Sequence, residues 1–166
     1  MRLAQELGAL LRDRQHVLVT AESCTAGGVA YAVTQVSGAS AWFDRGFVVY
    51  SNDSKQKLLG VPTAYLRDYG AVSEPVARAM ALGALQHSSA HAAVAVTGIA
   101  GPDGGTPDKP VGTVCFAWAQ RRGASAAPWV RTSTRHFPGD RAAVRTYAIA
   151  EALAGMIETL RLDAQE

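Results

Sequence analysis

The sequence predicts an α/β protein: one domain over residues 1–166, built as a three-layer α/β/α sandwich with a mixed sheet. Three observations point there. Segments with helical periodicity alternate with short, β-branched, nearly continuous apolar runs, the pattern of strands covered on both faces. Two further strand-like runs follow one another late in the chain, which suggests a sheet of mixed direction. No internal repeat, low-complexity tract or long linker divides the sequence.

Each element has its own warrant. Residues 2–14 predict a helix, because Leu3, Leu7, Leu10 and Leu11 recur at helical spacing. "HVLVTAE" (16–22) predicts a buried strand. Residues 26–36 predict a helix opened by small residues, and 41–51 a strand with an irregularity at Gly46. "NDSKQKLLG" reads as a short helix ended by Gly60, and "PTAYLRDYG" as another between Pro62 and Gly70. Residues 73–88 form the clearest helix, with Ser73 as N-cap and Pro75 in the first turn. Strands follow at 91–98, 111–120 and 128–137, the first two separated by a Gly/Pro-rich loop. A long helix over 138–163 closes the pattern.

Composition narrows the function classes. Nearly half of the residues are apolar and 18% are charged, as in a folded soluble protein. A formal charge of +2, with no basic run longer than "RR", gives no footprint for nucleic acid or a membrane surface. No apolar run approaches a membrane span, and the amphipathic N-terminus lacks a signal-peptide core. Two cysteines make no disulfide framework. A reducing cytoplasm is the expected setting.

Chemistry concentrates where the first strand meets the second helix, in "AESCTAGG" (21–28). Ligands gather at the carboxyl ends of strands in such sheets. Free amides at the start of a helix favour an anion, either a phosphate or an oxyanion. Gly27 and Gly28 allow close approach of a ligand, or simply tight helix–strand packing. Ser23 and Cys24 are the nucleophile candidates. A serine needs a base, and none of the four histidines has a clear claim; "HSSAH" (87–91) has the spacing of a metal pair, but a helix boundary runs through it. Lys55 is the other candidate. It sits in the first turn of a helix, where the dipole and burial both lower a lysine's pKa, although Asp53 nearby opposes that. Tyr50, at a strand end, either closes the core with its hydroxyl at the rim or relays a proton. A cysteine hydrolase using Cys24 is a further alternative, without a histidine to serve it.

The blocks "TAESCTAGG", "SGASAWFDRGFVVYSNDSKQKLLGV", "GAVSEPVARAMALGAL", "VTGIAGPDGGTPDKPVGTV" and "FPGDR" cover nearly the whole chain in order. In them the sequence resembles the CinA C-terminal domain family, whose stand-alone members include nicotinamide-mononucleotide amidohydrolases of the PncC type. The resemblance implies that Ser23 is the nucleophile and that Tyr50 and Lys55 assist it. It implies deamidation of nicotinamide mononucleotide to nicotinate mononucleotide and ammonia, in pyridine nucleotide salvage, without cofactor or metal. It also implies self-association, a dimer being favoured, with the 111–119 strand and the last helix as candidate surfaces. Thr25, Ala26 and Gly27 are expected near the oxyanion. Thr97, Gly98, Ala100 and Gly101, in a loop able to form an anion nest, are expected around the substrate with Arg141. The usual "ESCTGG" becomes "ESCTAGG" here, so that Ala26 replaces a glycine; the change matters if the backbone at that position has positive φ. Longer family members carry an N-terminal domain linked with pyrophosphatase activity, for which 166 residues leave no room. The competing function is a non-catalytic nucleotide- or partner-binding module tied to competence and DNA uptake.

Overall fold

The computed structural model describes residues 1–163; the last three residues of the predicted domain lie outside the described residues. Among the described residues a five-stranded mixed sheet runs in the order β2-β1-β3-β4-β5. Its strands are β1 (Leu18–Glu22), β2 (Phe43–Val48), β3 (Ala92–Gly98), β4 (Thr113–Gln120) and β5 (Trp129–His136). β2, β1 and β3 are parallel; β4 and β5 add on antiparallel. Helices α1 (Arg2–Asp13), α2 (Gly28–Thr34) and α6 (Arg141–Asp163) cover one face; α3 (Asn52–Leu59), α4 (Thr63–Tyr69) and α5 (Glu74–Gln86) cover the other. This is the predicted three-layer α/β/α sandwich.

Strand alternation divides the core in two. Val94, Val96, Val114, Phe116 and Trp118 point to the α1/α2/α6 side, whereas Ala93, Ala95, Cys115, Ala117 and Ala119 point to the α5 side. The small side chains let α5 sit close to the sheet. The large ones are met by a gap in α6: a Cβ at Gly155 would overlap Trp118, whose indole N–H donates to the Ala152 carbonyl at 2.9 Å.

The departures from the predicted boundaries have local causes. The helix predicted from residue 26 starts at Gly28, because Ala26 (φ +49°) and Gly27 (φ +91°) are left-handed and cannot belong to it. The irregularity in β2 lies opposite the Leu18/Val19 step, where the register jumps from Phe43 to Arg45, and not at Gly46. Gly46 serves close packing instead: a Cβ there would come within 2.8 Å of Thr20 Oγ1 and 3.2 Å of Ala30 Cβ. β4 lies between β3 and β5 with all eight residues buried, so the predicted 111–119 strand offers no surface for self-association beyond its flanking Val111. Among the described residues no helix is long and apolar enough to cross a membrane.

Candidate active site

Ser23 is held at the end of β1. Its N–H donates to the Val96 carbonyl at 2.9 Å, which extends the β1–β3 pairing by one residue. The chain then turns sharply: the Ala26 amide returns to the Ser23 carbonyl (3.0 Å) and the Gly28 amide to the Thr25 carbonyl (2.9 Å). Ser23 is 7% exposed at this turn.

Glu22, which the sequence reading passed over, organises the turn from inside. Its carboxylate is fully buried and accepts from Thr25 Oγ1 (2.7 Å), Val29 N (2.8 Å), Ala30 N (3.0 Å) and Thr20 Oγ1 (3.3 Å). The start of α2, expected to receive a substrate anion, is therefore filled by the protein's own carboxylate. An acidic residue at a strand end, seven positions before the amide that it caps, was the available signal. Arg145 was missed as well. From α6 it donates to the carbonyls of Cys24 (3.1 Å) and Thr25 (3.3 Å), 121 and 120 residues away, and no local pattern announces that.

Lys55 meets Ser23 from α3. Ser51 caps that helix by accepting from Ser54 N (3.1 Å), which makes Lys55 its fourth residue. The side chain is 1% exposed, and Nζ lies 3.1 Å from Ser23 Oγ and 3.0 Å from the Tyr50 carbonyl oxygen. Burial lowers the Lys55 pKa from its ordinary value, with the neighbouring Cys24 opposing weakly. Asp53 does not interfere, since its carboxylate pairs with Lys57 at 3.0 Å on the exposed side of the helix. The amine is thus biased toward the neutral form that a base requires.

The predicted residues, Gly101 excepted, divide among three clefts. Ser23, Cys24, Tyr50, Lys55, Thr97, Gly98, Ala100 and Arg141 share one of about 200 Å³. A larger cleft of about 520 Å³ adjoins it through Ala100 and Arg141 and also takes in Arg145. Thr25, Ala26 and Gly27 line a separate cleft of about 420 Å³ beside α2. The Thr97 hydroxyl is engaged with the Ala71 carbonyl (2.9 Å), and the Gly101 carbonyl accepts from Arg141 Nη1 (3.0 Å). The Tyr50 hydroxyl accepts from Arg141 Nη2 at 3.2 Å, and the hydrogen bond between Tyr50 and Lys55 runs to the Tyr50 backbone carbonyl.

Cys24 is poorly placed for chemistry. Burial pushes its thiol up to about 11, and the side chain packs in the α6-side core. The histidines stand elsewhere: His87 Nδ1 contacts the Gly83 carbonyl, and His91 accepts from Val17 N while stacking on His16.

The class is that of an α/β protein with a small-ligand cleft at the end of a central parallel strand, where a buried serine lies within hydrogen-bond reach of a buried lysine, an arrangement that can carry nucleophilic chemistry. The chain belongs to the CinA C-terminal domain family, whose model matches residues 1–160. It is 50% identical over 153 residues to the Escherichia coli nicotinamide-nucleotide amidohydrolase PncC, covering 92% of this chain and 90% of that one. A Symbiobacterium thermophilum protein named for competence damage is 57% identical over 157 residues, but this chain spans only 36% of its length. The crystal structure of competence damage-inducible protein A from Klebsiella pneumoniae superposes with a TM-score of 0.90 at 37% identity, covering 96% of both chains.

Proposed function

We propose that this protein hydrolyses the carboxamide of nicotinamide mononucleotide, giving nicotinate mononucleotide and ammonia. The observation that carries the reading is the 3.1 Å contact between Lys55 Nζ and Ser23 Oγ in a cleft of about 200 Å³. The half-identical relative that bears the activity in its name supports it.

The steps balance without a cofactor. Neutral Lys55 takes the Ser23 proton as Oγ attacks the carboxamide carbon. The resulting ammonium, adjacent to the reacting carbon, offsets the negative charge on the tetrahedral intermediate. It then gives its proton to the departing nitrogen, the C–N bond breaks and ammonia leaves. Water attacks the acyl-enzyme with Lys55 again as base; the C–Oγ bond breaks and the proton returns to Ser23. The Tyr50 carbonyl assists by fixing the amine. Of the amides expected near the oxyanion, that of Ala26 is spent on the Ser23 carbonyl, and Thr25, Ala26 and Gly27 line the cleft beside α2 rather than the one that holds Lys55, so the charge on the oxyanion falls chiefly to the Lys55 ammonium. Thr97, Gly98 and Ala100 wall the cleft that takes the pyridine carboxamide, and the adjoining cleft with Arg141 takes the ribose phosphate. Work in cytoplasmic salvage as a homo-oligomer, a dimer being favoured, completes the proposal.

Ammonia release from nicotinamide mononucleotide by the purified protein is the test. Ser23→Ala abolishes it by roughly 10³-fold or more, while Cys24→Ala keeps it. Mononucleotide binding without turnover would establish the non-catalytic module instead, and loss on Cys24→Ala with retention in Ser23→Ala would transfer the nucleophile.

A further inference from the structure

Arg141 stands where the two adjoining clefts meet, and three separate segments meet on it. It is the first residue of α6; its Nη1 donates to the Gly101 carbonyl in the β3–β4 connection, and its Nη2 donates to the Tyr50 hydroxyl just beyond β2. Both acceptors are neutral. Among the described residues no carboxylate lies within ion-pair distance of it; the exposed Arg78 also lacks one, but Arg78 has no anchoring hydrogen bonds such as the two that hold Arg141. An exposed arginine left to itself would sample many rotamers, and fixing it costs conformational entropy. Here two anchors fix it in advance and leave its charge uncompensated. That is how a site is prepared for an anionic group of a ligand.

Tyr50 is placed to do this and little else with its side chain. The ring is 58% exposed at the mouth of the cleft, and its hydroxyl is committed to Arg141. What Tyr50 gives to Lys55 is its carbonyl oxygen, which any residue would supply.

We infer that the Tyr50 hydroxyl is a positioning group: it holds the Arg141 guanidinium at the partition between the clefts, so that the enzyme selects nicotinamide compounds carrying a phosphate. The inference rests on the proposed deamidation for the identity of the substrate, but not on the identity of the nucleophile. A proton relay through the Tyr50 hydroxyl would act on the rate of every amide substrate. A positioning role acts on affinity, only for phosphorylated ones, and only while Arg141 is present.

The experiment uses steady-state kinetics with nicotinamide mononucleotide and nicotinamide riboside, and calorimetric binding of both in a Ser23→Ala background. Tyr50→Phe raises KM for the mononucleotide by about 10-fold, the size of one lost hydrogen bond to a charged group, with kcat falling less than threefold. Mononucleotide binding in the Ser23→Ala background weakens by the same factor, and the riboside responds less than threefold in either measurement. With Arg141→Met already present, Tyr50→Phe adds less than twofold. A fall in kcat beyond tenfold that is equal for riboside and mononucleotide and persists beside Arg141→Met overturns the inference and makes the hydroxyl a proton relay. A wild-type protein that binds mononucleotide in a Tyr50-dependent way but releases no ammonia defeats the deamidase reading alone. Absence of mononucleotide binding defeats both.

Discussion

Glu22 offers the sharpest test of how the serine is presented. Glu22→Gln keeps shape and volume but replaces one acceptor oxygen with an NH2 group. One carboxylate oxygen accepts from Thr25 Oγ1 and Val29 N, the other from Thr20 Oγ1 and Ala30 N. A hydroxyl can rotate to accept from the new NH2, but a backbone N–H cannot. The less costly orientation keeps the amide oxygen on Thr25 and Val29 and turns the NH2 toward Thr20 and Ala30, leaving the half-buried Ala30 amide opposed by another donor. Losing a charge-assisted hydrogen bond there costs about 1.5–3 kcal/mol, and losing the negative charge at the start of α2 about 0.5–1 kcal/mol more. The total is about 2–4 kcal/mol. For a chain of 166 residues, 1 kcal/mol shifts Tm by about 3 °C, so the expected fall is about 6–12 °C. Thermal unfolding followed by circular dichroism reads it directly. Ammonia release at a temperature where the variant is fully folded should fall as well, because the same carboxylate fixes the turn that begins at Ser23. A variant within 2 °C of wild type would mean that the turn is held by something else, Arg145 first among the candidates.

Three further outcomes are expected. Ala26→Gly relieves a left-handed φ of +49° at some cost in unfolded-state entropy, for a net gain of about 1 kcal/mol; a Tm about 3 °C higher checks it. Lys55→Met should reduce ammonia release by roughly 10³-fold, and wild-type kcat/KM should rise with pH through an apparent pKa below the ordinary 10.5. The same lysine binds fewer protons folded than unfolded, so its burial penalises folding at neutral pH and the penalty fades as pH rises toward 10.5. In denaturant titrations the wild type therefore gains stability relative to Lys55→Met between pH 7 and 10. With its thiol pushed up to about 11 by burial, Cys24 stays protonated at pH 8, so alkylation of the native protein should be far slower than that of a free thiol, and turnover should persist through an exposure that consumes the free thiol.

Much of this protein was legible in its linear order. Alternation of apolar runs with helical periods specified the layered sandwich, because a sheet covered on both faces must be apolar on both. The cap Ser73 was readable, since a cap acts within three residues. So was the placement of Lys55 at the start of a helix following a strand end. Tertiary structure decided the rest. That Nζ of Lys55 reaches Ser23 depends on β1 and β2 being parallel neighbours, so that the chain leaves both at the same end of the sheet. The burial that depresses its pKa is made between elements, since Lys55 is enclosed only once α3 packs against the ends of β1 and β2. The anion at the start of α2 is the protein's own Glu22. Arg141 and Arg145 return to the β1 and β2 ends only because α6 packs back across the sheet from the far end of the chain. Local sequence sets which backbone shapes are low in energy. Which distant side chains share a cleft is set by how those shapes bury their apolar faces together, and no window of neighbouring residues contains that information.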